Sequence, residues 1–247
     1  MPNWLAPTYN GTPFILFGMA HLAALALTLS VCFLLAWFSR QPAATPPRKT
    51  AMRYVLVGML LGTQIVWDIW QISVGVWVVS WSLPLHLCQL TQLLSAVMLL
   101  TRSSRLFEIL YFWSVVGATQ ALLTPNLTHW GFPHIGFLAF FVSHGATLLA
   151  IVFMLSVEGL RPTWGALWRT CLITNLLLPF IMLINWLTGG NYWFVSRAPN
   201  TSSLIDYLGP WPWYLISLQA IGIMLFIAAL LPFVWRPHLR KVNAPAG

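Results

Sequence analysis

Seven apolar runs dominate the chain, at approximately 13–38, 52–76, 83–101, 106–124, 134–157, 168–188 and 211–235. About 20 apolar residues at 1.5 Å rise each cross the hydrocarbon core of a bilayer. Each run therefore predicts a transmembrane helix. The third is the shortest and starts at Pro84, a residue suited to a helix N-terminus. The second and third differ from the others in carrying polar residues. The densest polar stretch is Pro84-Leu85-His86-Leu87-Cys88-Gln89-Leu90-Thr91-Gln92. A polar group in lipid without a partner costs several kcal/mol, so these side chains must turn toward protein or a cavity.

Helical spacing sorts the polar residues of the spans into faces. Gln64, Asp68 and Gln71 fall at i, i+4 and i+7 of the second run. Cys88, Gln92 and Ser95 repeat that spacing in the third, and His86 and Gln89 form a neighbouring i, i+3 pair. The fifth run offers Ser143, His144 and Thr147. The first run offers His21, the fourth Thr119 and Gln120, and the sixth Asn175 and Asn185. Depth counting puts Asp68, His86, Cys88, Gln120, His21 and Asn185 in the outer half. His144 lies about 15 Å into its span by helical rise. Cys88 and His144 meet only if the third span starts from a recessed loop.

Composition gives the same class. Of 247 residues, 59% are apolar and 6% charged, against roughly 25% charged in ordinary soluble domains. No charged segment or cleavage site precedes the first run, so no removable signal peptide is expected. The net charge is +8, and of the 12 Lys and Arg all but Arg197 lie in alternate connections: 39–53, 101–105, 158–169 and the tail with Arg236, Arg240 and Lys241. That bias orients a seven-span protein with its N-terminus outside and its C-terminus cytoplasmic. The positive charge is a topology signal and a contact for anionic headgroups, and no nucleic-acid partner is expected. The expected fold is all-α, one seven-helix domain over residues 1–247 in a bacterial plasma membrane.

Tryptophans gather at the predicted ends of the spans, the headgroup level indole rings favour. Part of the outer group, which includes Trp67, Trp81 and Trp130, is also suited to lining a lipid entry. The outer segment 189–209 is rich in aromatics and bounded by Gly and Pro, which suits a lid or an anchored linker. His129, His134 and His238 lie at edges and are expected to be solvated. The three cysteines, Cys32, Cys88 and Cys171, sit in separate spans and suggest no disulfide framework. Cys32 and Cys171 have apolar neighbours and read as packing residues; Cys88 stands in polar surroundings.

A thiol in an apolar site is a weaker acid than a free thiol, so its attack on an ester needs a nearby base. A neutral His can supply it, with a third group fixing the tautomer. Cys88 and His144 fit these roles, and Gln89, Gln92, Gln120 and Asn185 are candidates to stabilise the ester oxygen. His86, Asp68 and His21 complete the polar set. Transport through a polar outer cavity is a rival explanation of Asp68, Gln64 and Gln71. Haem or metal ligation by His21, His86 and His144 is another. A retinal Schiff base is disfavoured, since Lys49 and Lys241 both lie outside the spans.

The segment Leu83-Pro84-Leu85-His86-Leu87-Cys88, the Ser143-His144-Gly145 triplet, and the outer loop with Asn191-Tyr192 and Pro210-Trp211-Pro212-Trp213-Tyr214 resemble the bacterial YwaF-type integral membrane proteins. Those are similar to a eukaryotic transmembrane acyltransferase that remodels ether phospholipids. More distantly, they resemble membrane hydrolases of fatty-acid esters of hydroxy fatty acids, which use a Thr–His pair. The likeness spans most of the chain in length and span number. It implies a Cys acyl-enzyme, a His partner and a phospholipid or lysophospholipid substrate without a cofactor. Cys88 and His144 are the matching positions.

Overall fold

The computed structural model describes residues 2–127, 129–198 and 207–235. Regular structure among them is entirely helical: α1 (Met19–Phe38), α2 (Pro46–Ser73), α3 (Leu87–Thr101), α4 (Ser104–Phe112), α5 (Thr119–Leu123), α6 (Ile135–Ser156), α7 (Trp164–Thr188) and α8 (Trp213–Val234). A π turn, Trp113–Ala118, joins α4 and α5 into one rod over 104–123. Six rods are long and apolar enough to cross a membrane: 19–38, 46–73, 104–123, 135–156, 164–188 and 213–234. The six match six of the expected runs, with ends shifted by several residues. The basic tail with Arg236, Arg240 and Lys241, as well as Asp206 and His238, lies outside the described residues.

The third run differs. Its helix starts at Leu87 instead of near 83 and has 15 residues, about 22 Å by rise. Pro84 has no N–H and disfavours helix at the residue before it. Residues 74–86 consequently form turns, and His86 in extended conformation precedes the helix. Local signals set other ends. The Ser103 and Thr163 hydroxyls cap α4 and α7 by accepting from Leu106 N–H and Ala166 N–H. Gly189, at φ 67°, ends α7 in the left-handed region that glycine enters without strain.

The packed centre is formed by α2, α3, α4 and α6, with Leu60, Met98, Leu99, Leu110, Phe112, Ala150 and Met154 almost inaccessible. Helix α1 leans on α6, and α8 on α7 and the π turn. The outer helices bury few residues, only His21 and Leu35 in α1 and Tyr214 and Leu230 in α8. Their outward faces carry Leu27, Phe33, Leu176, Trp186 and Met224 in exposed positions. An apolar exterior on this scale suits a lipid solvent.

The segment after α7 is fastened from several sides. Asn185 donates from Nδ2 to the Tyr192 carbonyl (3.0 Å) and accepts at Oδ1 from Tyr192 N–H (2.7 Å). The Tyr192 hydroxyl donates to Val79 O (2.6 Å), and its oxygen accepts from Leu83 N–H (3.2 Å). Trp193 Nε1–H donates to Leu85 O (2.8 Å). The turn at 192–194 is thereby tied to the connection before α3, and both Trp193 (φ 59°) and Phe194 (φ 54°) are held in the left-handed region. A conformation of that kind persists only when its surroundings over-determine it. Replacing Asn185 by Ala leaves two buried backbone groups unpaired, at roughly 1–3 kcal/mol each. The expected outcome is a melting temperature in detergent lowered by about 4 °C or more, read by tryptophan fluorescence; an unchanged melt would show that the clasp contributes nothing.

Candidate functional site

A cavity of about 360 Å³ opens among α2, α3, α6 and the loops beside them. Its polar lining comes from the last turns of α2 (Thr63, Gln64, Gln71), the start of α3 (Cys88, Gln89, Gln92) with His86, and α6 (Ser143, His144). Cys88 is the second residue of α3 and His144 the tenth of α6. Both line this one cavity because α3 starts late, after the turns of 74–86.

His144 has a defined tautomer. Its Nδ1 lies 2.8 Å from the carbonyl oxygen of Phe140, one helical turn earlier. A carbonyl only accepts, so Nδ1 carries the proton. The Nε2 lone pair is left free, and Nε2 is buried without a hydrogen-bond partner. The Phe140 ring holds the imidazole from one side, 4.2 Å between centroids. Cys88 is exposed on the cavity wall. An unpartnered imidazole nitrogen and an accessible thiol thus belong to residues that share one chamber.

Gln71 is oriented by a relay. Val78 N–H donates to Ser82 Oγ (3.1 Å), and the Ser82 hydroxyl donates to Gln71 Oε1 (2.7 Å). That bond occupies Oε1, and the Nε2 group is buried and unpartnered. Gln92 donates from Nε2 to Leu60 O (2.6 Å) and locks α3 to α2. Gln89 Oε1 and His86 Nε2 are also buried without partners, and the His86 ring is enclosed by Trp81 and Tyr192, at 4.4 and 4.8 Å between centroids. Buried polar groups in folded proteins normally have partners. Among the described residues seven side-chain atoms of this kind have none, and those of Gln71, His86, Gln89 and His144 all belong to residues lining this cavity. These atoms are donors and acceptors left available to water or to a polar ligand.

Not every candidate joins the cavity lining. Asp68 accepts from Gln64 Nε2 at 3.0 Å to both oxygens, and among the described residues no histidine pairs with it. Gln120 is exposed and donates to Thr124 Oγ1 (2.8 Å). The π turn just before it changes the angular register that an unbroken α-helix would have set. His21 is a buried strut, accepting at Nδ1 from Phe17 N–H (2.9 Å) and placing Nε2 2.8 Å from Leu122 O. Asn185 is committed to Tyr192. His134, expected in solvent, is fully buried: it stacks on Trp130 at 5.3 Å, Nε2 lies 3.0 Å from Ala6 O, and Nδ1 accepts from Gly136 N–H. Its capping role at α6 pulls it inward. Among the described residues no group of three His, Cys, Asp or Glu is placed to hold a metal ion.

Sequence reasoning missed Phe140 and Ser82. Phe140 stands four residues before His144, a spacing at which a backbone carbonyl and a side chain meet on one helix face. Ser82 carried no signal, because its contact with Gln71 depends on the fold of 74–86. Trp67, Trp81 and Trp130 line the cavity, as does Phe194 of the fastened turn.

A family model described as the TMEM164 family matches residues 16–230. The chain belongs to the TMEM164 family. It is also 26% identical over 237 residues to an uncharacterized protein of Treponema pallidum (strain Nichols), covering 92% of this chain and 93% of that protein. No solved structure matches the chain. Its membership agrees with the apolar helices in describing an integral membrane protein.

The open position of Cys88 predicts selective chemistry. Cys32 and Cys171 are half-buried and pack against the apolar centre. A small polar thiol reagent should modify Cys88 first and leave the other two intact until the protein unfolds. Peptide mapping by mass spectrometry checks this, and simultaneous modification of all three would refute an open chamber at Cys88.

Proposed function

We propose that this protein is a membrane-embedded lipid acyltransferase or lipid-ester hydrolase that works through an acyl-thioester on Cys88. The observation that carries the proposal is the unpartnered Nε2 of His144, a residue lining the cavity that Cys88 also lines, with Nδ1 bonded to Phe140 O. The likeness of the Cys88 and His144 segments to YwaF-type proteins, and through them to an ether-phospholipid acyltransferase, points the same way. Seven crossings, α3 included, with an external N-terminus and a cytoplasmic C-terminus in a bacterial plasma membrane, complete the picture. It is supported by the distribution of Lys and Arg.

The chemistry runs in two halves. The Cys88 sulfur bonds to the acyl carbonyl of a phospholipid while its proton passes to His144 Nε2. The carbonyl oxygen gains negative charge, and the free amide N–H of Gln71 is the donor for it. The C–O bond to the lysolipid breaks, and His144 returns the proton to that oxygen. In the second half a lysolipid hydroxyl, or water, gives its proton to His144 and attacks the thioester, releasing the thiolate, which takes the proton back. Phe140 O keeps Nδ1 protonated throughout and holds the ring in place.

Purified protein incubated with labelled phospholipid should carry one acyl group on Cys88, visible by mass spectrometry of the intact chain and its peptides. Cys88→Ala should form no adduct and lose at least about a thousandfold in turnover. His144→Gln should lose about a hundredfold or more, with the thiol still present. No adduct on Cys88, or full activity in Cys88→Ala, would remove the proposal. Solute flux into liposomes that survives Cys88→Ala would favour transport through the polar cavity instead.

A further inference from the structure

The opposite end of the bundle carries a second cavity, of about 210 Å³. Lys49, Thr50 and Arg53 from the start of α2, Arg102 just after α3, and Glu158 beyond α6 are among its walls. Three cations against one carboxylate leave it with an excess of two positive charges. By helical rise it lies about 16 Å from the level of Gln64 along α2. Nothing in the proposed acyl transfer uses it.

Arg53 is the anomaly. It is 7% exposed, its Nε is buried without a partner, and among the described residues its side chain makes neither hydrogen bond nor ion pair. The chain has four acidic residues. Asp206 lies outside the described residues; of the other three, Glu158 is 3.7 Å from Arg102, Glu108 pairs with Arg169, and Asp68 is engaged by Gln64 at the far end of α2. The ring of neighbouring Tyr54 lies 5.2 Å from the guanidinium carbon, a contact that offsets only part of a buried charge. A buried guanidinium with no counter-charge is strongly unfavourable. Its planar fork of donors matches the oxygens of a phosphate.

We propose that this cavity binds a phosphate group, with Arg53 as its buried contact and Lys49 and Arg102 at its rim. Glu158 neutralises one cation and leaves two, which suits the charge of about −1.5 to −2 of a phosphate monoester and also accepts a diester. Two sources carry that chemistry: the headgroup of an anionic phospholipid in the adjoining leaflet, and a free phosphate compound.

The test uses the full chain in lipid nanodiscs, with unfolding followed by tryptophan fluorescence. One arm compares discs of phosphatidylcholine alone with discs that also hold phosphatidic acid or phosphatidylglycerol. The other titrates sodium phosphate into phosphatidylcholine discs, against sodium chloride at equal ionic strength. A ligand that binds only the folded state raises its melting temperature. The wild type should gain about 3 °C or more. Arg53→Gln should lose most of that gain, whereas Arg48→Gln, an exposed residue bonded to Ala43 O, should keep it. A gain with anionic lipid alone identifies the headgroup; a gain with phosphate in neutral discs identifies a free phosphate compound. If Arg53→Gln does not fold, Lys49→Gln takes its place and should lose a large part of the gain. No gain in the wild type in either arm, or an equal gain in the Arg53 or Lys49 variant, overturns the proposal.

Discussion

A hydrocarbon solvent offers no hydrogen bonds, and the interior of this protein is organised by that fact. Most polar atoms at depth find a partner in the chain or belong to residues that line a cavity. Gln92 reaches Leu60 O and ties α3 to α2. Gln64 holds Asp68, Asn185 holds Tyr192, and His21 bridges Phe17 and Leu122. Once those demands are met, four of the seven unsatisfied buried atoms belong to residues around one chamber. The packing that satisfies the rest is what isolates them.

The chamber is fixed by its surroundings more than by its own residues. Phe140 O accepts from one His144 nitrogen and leaves the other without a partner, and Ser82, itself bonded to Val78 N–H, engages one end of the Gln71 amide. Asn185 lies outside the cavity yet fastens the turn that carries Phe194 to its wall. The two ends of the bundle also differ in kind. One holds neutral polar groups with unused donors and acceptors; the other concentrates cations around Arg53. The first suits a reaction in which charge develops and disappears, the second a ligand that carries charge permanently.

The helices were legible because 20 or so apolar residues in a row admit few other structures. Pro84 marked the third element, and a recessed start was the condition for Cys88 to meet His144; the start at Leu87 rests on the connection 74–86, which Tyr192 and Trp193 hold from a distant segment. The polar faces of α2, α3 and α6 followed from i, i+4 spacing, which is a property of the helix alone. Gln120 shows where that logic ends. It was a candidate to stabilise the ester oxygen, yet it is exposed and bonded to Thr124 Oγ1, just after a π turn that no local signal announced. His134 shows the same at a helix end, where edge position suggested solvent and a capping bond drew the ring into the core.

Sequence alone determined the class of the protein, the approximate places of its helices, and the residue types able to carry chemistry, because hydropathy and helical periodicity are local quantities. Tertiary structure decided which of those residues meet. It gathered Cys88, His86, Gln89, Gln92 and His144 about one space, sent Gln120, His21 and Asn185 to other partners, and left Arg53 without one. The reason is physical: a hydrogen bond between helices depends on rotation, depth and the start of each rod. These are set jointly by contacts far apart in the chain.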